Sequence, residues 1–343
     1  MNTDFAYLMS KYLSVYLPAQ YNASENTILS YRDTFKLLIR FMETELRIVP
    51  EKVTMEMITR DFILRFIDWL RRQGNSDSTT NHRLAAVRAF FRYAEREKPE
   101  LVSRCQEILS IPMKHSEKQI VNYISVAGIK AILAQPDSTD KFGLRDLAML
   151  GLLYDSGARV SELVSLKPRN LRLDCAPVVT LFGKGRKYRQ CPLSKSVADN
   201  LKVYLTAWRL DVPEKSDSPL FMNHKNEKIG RAGVAYIIEK YSEQTRNKFP
   251  GDVPQEVSPH MIRHSKAMHL LQADVNLIYI RDWLGHASVK TTEIYARADA
   301  EMKRTAIEKA AAAVIPQATG HSWSNDAKLM DWLNSLGKSN SLC

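Results

Sequence analysis

His260 and Arg263 stand three residues apart, His286 follows them, and Tyr295 lies nine residues further on. Ser258-Pro259 comes just before. Serine caps helix N-termini and proline suits the first helical position, so a helix is expected to begin here. Residues three apart share a helical face. His260 and Arg263 would then point together, beside a helix end that itself favours anions. That grouping suits a phosphate, with Tyr295 as a candidate nucleophile. Cleaving a phosphodiester through a side chain makes definite demands. The non-bridging oxygens need cationic donors, and the planar fork of arginine serves best. The nucleophile must lose a proton and the leaving oxygen must gain one. A phenol ordinarily titrates at about 10, so two nearby arginines would help it ionise.

The rest of the chain offers the missing parts. Arg159 follows Ser156-Gly157-Ala158, and Glu162 stands one helical turn later. Lys184 sits in Gly183-Lys184-Gly185-Arg186, at the tip of an expected hairpin. Leu284-Gly285 precedes His286, and glycine suits the left-handed C-terminal cap of a helix. Taken singly, each has a plain reading. Gly-Lys-Gly is a common turn, a lone histidine is a satisfied partner, a lone tyrosine is packing, and Arg159 with Glu162 is an ion pair. Together, in this order, they describe a phosphoryl-transfer centre.

The elements that must position these residues follow from periodicity. Residues 1–110 read as all-helical. A stripe of Ile28, Tyr31, Phe35, Leu38, Ile39 and Met42 marks a helix over Thr27–Met42. A second covers Asp61–Arg71, and Gly74-Asn75-Ser76-Asp77-Ser78 is a turn. Ser78 can cap the next helix, running to about Glu95, with Arg83, Arg88 and Arg92 on its outer face. Glu97–Lys118 is charged and holds Pro99 and Pro112, so the linker is placed at 111–120. Beyond it come an apolar helix over Gly143–Tyr154 and another from Ala158. Strands Val178–Phe182 and Tyr188–Leu193 follow, then helices over Ser196–Arg209, Ala232–Asn247, Leu277–Trp283 and Asp299–Val314. Pro316 ends the last of these, leaving a tail, 316–343, with the amphipathic stretch Leu329, Met330, Trp332, Leu333 and Leu336. The expected fold is mainly α with a small β-hairpin in a domain over 121–315.

Composition agrees with a globular protein that meets a polyanion. Of 343 residues, 45% are hydrophobic and 25% charged, and 49 Lys and Arg against 38 Asp and Glu leave a net charge of +11. That surplus favours nucleic acid or an anionic membrane. No apolar run reaches the length of a membrane span, and Met1-Asn2-Thr3-Asp4 lacks the features of a signal peptide. The four scattered cysteines read as reduced cytosolic thiols, not a disulfide framework or zinc site. No carboxylate cluster looks like a magnesium site.

The ordered set Arg159, Lys184, His260-x-x-Arg263, His286, Tyr295 resembles the tyrosine recombinase (phage-integrase-like) family. The strings Ser156-Gly157-Ala158-Arg159-Val160-Ser161-Glu162-Leu163, Trp283-Leu284-Gly285-His286 and Thr291-Thr292-Glu293-Ile294-Tyr295 match it too. The likeness runs over roughly 5–315 and is nearest to Xer-like and transposon-borne recombinases. It implies a SAM-like helical core-DNA-binding domain over 1–110 and an α+β catalytic domain over 121–315. It implies a 3′-phosphotyrosine at Tyr295, a phosphate clamp by Arg159 and Arg263, and Lys184 as general acid. His260 would assist proton transfer, His286 would hydrogen-bond the phosphate and Glu162 would orient Arg159. No metal, ATP or other cofactor is implied. The implied partner is double-stranded DNA carrying a recombination site, bound by a homo- or hetero-tetramer with possible accessory proteins, in the cytoplasm. Arg83 and Arg88 become candidate DNA contacts. Ser265-Lys266-Ala267-Met268 departs from the usual family pattern, and Lys266 is a further candidate contact. Two alternatives stay open: a type IB topoisomerase, which shares this chemistry, and a non-catalytic DNA-binding protein.

Overall fold

Aromatic residues at helical spacing build the first of two units, residues 1–119 and 120–343. The structure, a computed structural model, describes residues 3–114, 122–183, 187–286, 288–298 and 327–335. In the first unit, α1 (Asp4–Lys11) runs into a π-helical stretch (Tyr12–Gln20), followed by α2 (Glu25–Glu45), α3 (Arg60–Arg72), α4 (Asp77–Glu97) and α5 (Val102–Leu109). Tyr12, Phe35, Phe41, Phe66, Phe90 and Phe91 are fully buried between them. Side-chain caps open the helices: Ser24 accepts from the Thr27 amide and Thr59 from that of Phe62. The cap of α4 is Ser76, not Ser78 as the sequence suggested. Ser76 is extended and its hydroxyl accepts from the Thr79 amide. Asp77 then falls in the first turn, where a carboxylate complements the helix dipole.

In the second unit, α6 (Val126–Leu133), α7 (Lys141–Ser156) and the single turn α8 (Val160–Leu163) precede a three-stranded antiparallel sheet. Its order is β1 (Leu171–Arg172), β2 (Val178–Phe182), β3 (Tyr188–Pro192). The expected hairpin is β2–β3, with Val179 opposite Cys191 and Leu181 opposite Arg189. Two-residue β1 is too short to show in the sequence pattern. Next come α9 (Lys195–Ala207), α10 (Arg231–Lys248), α11 (Pro259–Gln272), α12 (Leu277–Leu284), α13 (Val289–Ala298) and α14 (Ala327–Ser335). The architecture is mainly α with a small sheet, as the pattern predicts. The expected helix over Asp299–Val314 lies outside the described residues. The main core gathers Leu152, Leu153, Val179, Leu181, Leu201, Tyr204 and Ile238. A smaller one joins α11, α12 and α13 through Ala267, Met268, Leu271, Ile280, Leu284 and Tyr295.

Candidate active site

Two glycines end the helices that frame the site. Gly157 closes α7 and Gly285 closes α12, both left-handed, at φ 57° and 63°. Such ends leave backbone carbonyls without intrahelical partners and carry the negative end of the helix dipole. Arginines occupy them. Arg263 donates from Nη1 to Gly157 O at 2.5 Å and from Nη2 to Leu284 O at 2.6 Å. Arg159 reaches Gly285 O at 3.4 Å. Arg189 donates from Nε to Trp283 O at 2.9 Å. Three guanidiniums thus converge on the last carbonyls of α12.

Glu162 holds two of the three. Its Oε1 accepts from Arg159 Nη1 and Arg189 Nη1, both at 2.9 Å. Its Oε2 accepts from the Arg159 amide and Arg189 Nη2, both at 2.8 Å. The backbone bond is the return half of a capping box, from the third helical residue to the cap. Burial pushes this carboxyl up. Hydrogen bonds from Arg189 and the Arg159 amide outweigh it, so it sits below its ordinary 4.5. Three guanidiniums face one carboxylate, leaving net positive charge for an anion. Arg189 was missed by sequence reasoning, yet a signal was there. Alternation along β3 puts Arg189 and Cys191 on the face that Val179 and Leu181 bury on β2.

Ser258 caps α11 as expected, accepting from the Met261 amide. The helix carries His260, Arg263 and His264. Tyr295, fully buried on α13, meets His264: its hydroxyl lies 2.8 Å from Nδ1. His260 is exposed, one turn earlier, with its ring 6.5 Å from that of His264. His264 is the second residue that sequence reasoning missed. It stands four residues after His260, a spacing that also shares a face. His286 stacks near Tyr295, ring centres 6.4 Å apart, and its Nδ1 lies 2.9 Å from Thr292 Oγ1.

Burial decides the protonation of this cluster. Burial raises the Tyr295 phenol above its ordinary 10.0, although Arg263 and Arg159 pull it down. The two arginines do favour ionisation, as expected, but desolvation of a phenolate in this apolar pocket outweighs both guanidiniums. Burial, then Arg263, Arg159 and Arg189, push His286 down to about 4, so its ring is neutral at neutral pH. Burial and the neighbouring Arg159 and Arg189 lower Arg263 to about 10, which leaves it charged.

Other predicted residues are placed less simply. Lys184 lies outside the described residues. Lys266, read as a DNA contact, turns inward: its ammonium pairs with Asp155 at 3.0 Å and lies over the Tyr154 and Trp283 rings. Arg83, in the first unit, is partly buried and donates to Ser30 O and Thr34 Oγ1 of α2, both at 3.2 Å. The Nε atoms of Arg83 and Arg88 are buried without a partner among the described residues. No helix of the described residues is long and apolar enough to cross a membrane.

A phenol with an imidazole on its hydroxyl, set among guanidiniums that outnumber their carboxylate, can transfer a phosphoryl group through a covalent tyrosine ester. Comparison with known proteins gives the lineage. Residues 122–302 match the phage integrase family and residues 11–98 its N-terminal SAM-like domain. The candidate integrase/recombinase y4rC of Sinorhizobium fredii is 37% identical over 90% of this chain and 92% of its own length. Tyrosine recombinase XerD of Halalkalibacterium halodurans is 31% identical over 79% and 87%. The chain belongs to the phage integrase family of tyrosine recombinases, which are DNA strand-transferring enzymes. Among solved structures, the XerH site-specific recombinase bound to palindromic difH substrate superposes with a TM-score of 0.65, at 21% identity over 84% of this chain and 80% of that one. The Tn1549 transposon integrase in complex with transposon right end DNA gives 0.66, at 16% identity over 88% and 98%. At these identities the structures speak for the fold.

Proposed function

We propose that this chain is a site-specific DNA recombinase that cleaves and rejoins strands through a 3′-phosphotyrosine at Tyr295, serving a mobile element. The observation that carries the reading is that α11 bears both Arg263, fixed on the Gly157 and Leu284 carbonyls, and His264, 2.8 Å from the Tyr295 hydroxyl, with the His286 ring 6.4 Å from that of Tyr295. Arg159 and Arg263 hold the non-bridging oxygens. Each terminal nitrogen of Arg263 keeps one N–H beyond the carbonyl it satisfies. Neutral His286 donates a further hydrogen bond to the phosphate. Glu162 keeps Arg159 in place. Tyr295 attacks phosphorus, the bond to the 5′-oxygen breaks, and Lys184 protonates the leaving oxygen. The phosphotyrosine conserves the bond energy for rejoining. Because Tyr295 is buried, engagement of DNA must uncover its hydroxyl. In this reading Arg83, Arg88 and further basic side chains contact the duplex, Lys266 acts through Asp155, and four protomers join two sites in the cytoplasm. The long match to the Sinorhizobium integrase/recombinase supports the recombinase reading.

The test is a pool of nicked duplexes with randomised arms, incubated with the full chain and captured through protein in SDS. Wild type should yield an adduct whose peptide maps to Tyr295, and Tyr295→Phe should yield none. A wild type without adduct, or an adduct that persists in the variant, overturns the reading. Duplexes recovered this way then test synapsis. Four-way junctions between two sites support a recombinase, and supercoil relaxation without junctions supports a topoisomerase.

A further inference from the structure

The proposed acid, Lys184, falls between β2 and β3, whereas the clamp is held elsewhere: Arg159 opens α8 and Arg263 lies on α11. A general acid must meet the oxygen that leaves the clamped phosphorus. The hairpin therefore needs a fixed register against the clamp, and the end of α12 supplies it. Three consecutive carbonyls there each accept from a different arginine: Trp283 O from Arg189, Leu284 O from Arg263 and Gly285 O from Arg159. Two of those arginines form the clamp. The third, Arg189, belongs to the hairpin.

Glu162 repeats the pattern. It takes Arg189 with both oxygens, at 2.9 and 2.8 Å, and Arg159 Nη1 at 2.9 Å. Gly183, the residue before Lys184, rests on this pair. A Cβ there would stand 3.1 Å from Glu162 Oε1 and 3.3 Å from Arg189 Nη1. The Gly183 amide donates to Lys187 O at 2.9 Å, which closes the base of the turn. The chain thus enters Lys184 directly from the Arg189–Glu162 contact.

Holding the hairpin to the core does not require this charge. Val179, Leu181 and Cys191 are buried on the same face. Hydrophobic residues of similar volume often replace a buried ion pair with no loss of stability. What the pair adds is a directional fork, fixed at both ends. We propose that Arg189 is a positioning residue: it sets the hairpin in register with the clamp, so that Lys184 meets the 5′-oxygen of the phosphate that Arg159 and Arg263 hold. This deepens the recombinase reading above and rests on it. Lys184 Nζ gives the 5′-oxygen its proton as the bond to phosphorus breaks, and takes it back in rejoining. Arg189 touches none of the reacting atoms.

The test changes the leaving atom. The full chain is given the nicked duplexes recovered above, with oxygen or sulfur at the bridging 5′ position. A thiol ordinarily titrates at about 8.5, far below an alcohol, and so leaves without a general acid. Single-turnover cleavage is compared for wild type, Lys184→Ala, Arg189→Lys and Gly183→Val. Lysine keeps the charge of Arg189 but lacks its fork. Valine keeps both members of the pair, crowds them from the hairpin side, and serves if Arg189→Lys fails to fold. On oxygen, Arg189→Lys and Gly183→Val should each fall by about a hundredfold, the scale of a 1 Å misplacement, and Lys184→Ala by more. On sulfur, all three should return to the wild-type rate. A folded Arg189→Lys that cleaves the oxygen duplex at the wild-type rate overturns the proposal. So does one that stays slow on sulfur, because its fault then lies in the clamp. With Arg189→Lys unfolded, the same two outcomes in Gly183→Val decide. Lys184→Ala left slow on sulfur removes Lys184 as the acid and the proposal with it, while wild-type adducts at Tyr295 keep the recombinase reading standing. A wild type without a Tyr295 adduct fails that reading itself.

Discussion

Replacing Glu162 with glutamine should unbalance the whole arginine cluster, and the structure sets the scale. The carboxylate accepts four hydrogen bonds, three of them from guanidinium N–H groups, and its side chain is 3% exposed. Glutamine offers one oxygen. Its amide nitrogen would face donors at the other position, so at least two bonds are lost. Removing one partner of a buried ion pair costs about 3–5 kcal/mol, because the remaining charge is left without compensation. Arg189 is 12% exposed and Arg159 28%, so most of this cost falls on Arg189. The expected loss is therefore ~3–4 kcal/mol in the unit containing residues 120–343. Urea unfolding followed by hydrogen exchange of the β2 and α7 amides reads that unit apart from the other. Arg189→Gln should cost a similar amount, and the double variant little more than either alone, since both break one interaction. A loss under about 1 kcal/mol, or simple additivity, would refute the coupling. Acid gives a second check. Glu162 is held below its ordinary 4.5, so its contribution is complete above that pH and is lost as pH falls through the folded value. That limb should be absent from Glu162→Gln. The variant leaves three guanidiniums with no carboxylate, so inorganic phosphate should raise its melting temperature more than it raises that of wild type.

Gly285→Ala forces a left-handed residue to carry a Cβ that would meet Arg189 Cδ and Nη1 at 3.0 Å. Strain alone costs about 1–2 kcal/mol. Gly251→Ala, at φ 100° with open space around it, should show strain only. Gly285→Ala should therefore lose more stability than Gly251→Ala and also slow adduct formation, and equal melting with unimpaired cleavage would refute the contact. His286 supplies a pH test. Its ring is held at about 4 in the folded chain against an ordinary 6.5. Between those values the unfolded chain takes up a proton that the folded one refuses. Stability from this residue is whole above 6.5 and falls as pH drops toward 4. His286→Asn, which does not titrate, should flatten the fall in melting temperature across that window, and an unchanged slope would refute the depression.

What the sequence conveyed and what it withheld divide along one physical line. Ser258 as a cap, Gly285 as a left-handed helix end and the β2–β3 pairing are local, set by residues close along the chain, and they are read directly. The Ser76 cap was displaced by two residues because Ser76 and Ser78 are both good caps, and Asp77 decides between them through the dipole. Arg189 was hidden for a different reason. A pattern reading sends a charged side chain to the solvent face, and Arg189 is buried only because Glu162, 27 residues earlier, meets it with both oxygens. Lys266 is the same case: a surface cation by type, drawn inward by Asp155, 111 residues earlier. The phenol completes the argument. Arg159 and Arg263 pull Tyr295 toward ionisation, as the sequence suggests, but whether they win depends on the apolar walls from α11 and α12. The sign of the shift comes from packing that residue types alone do not reveal.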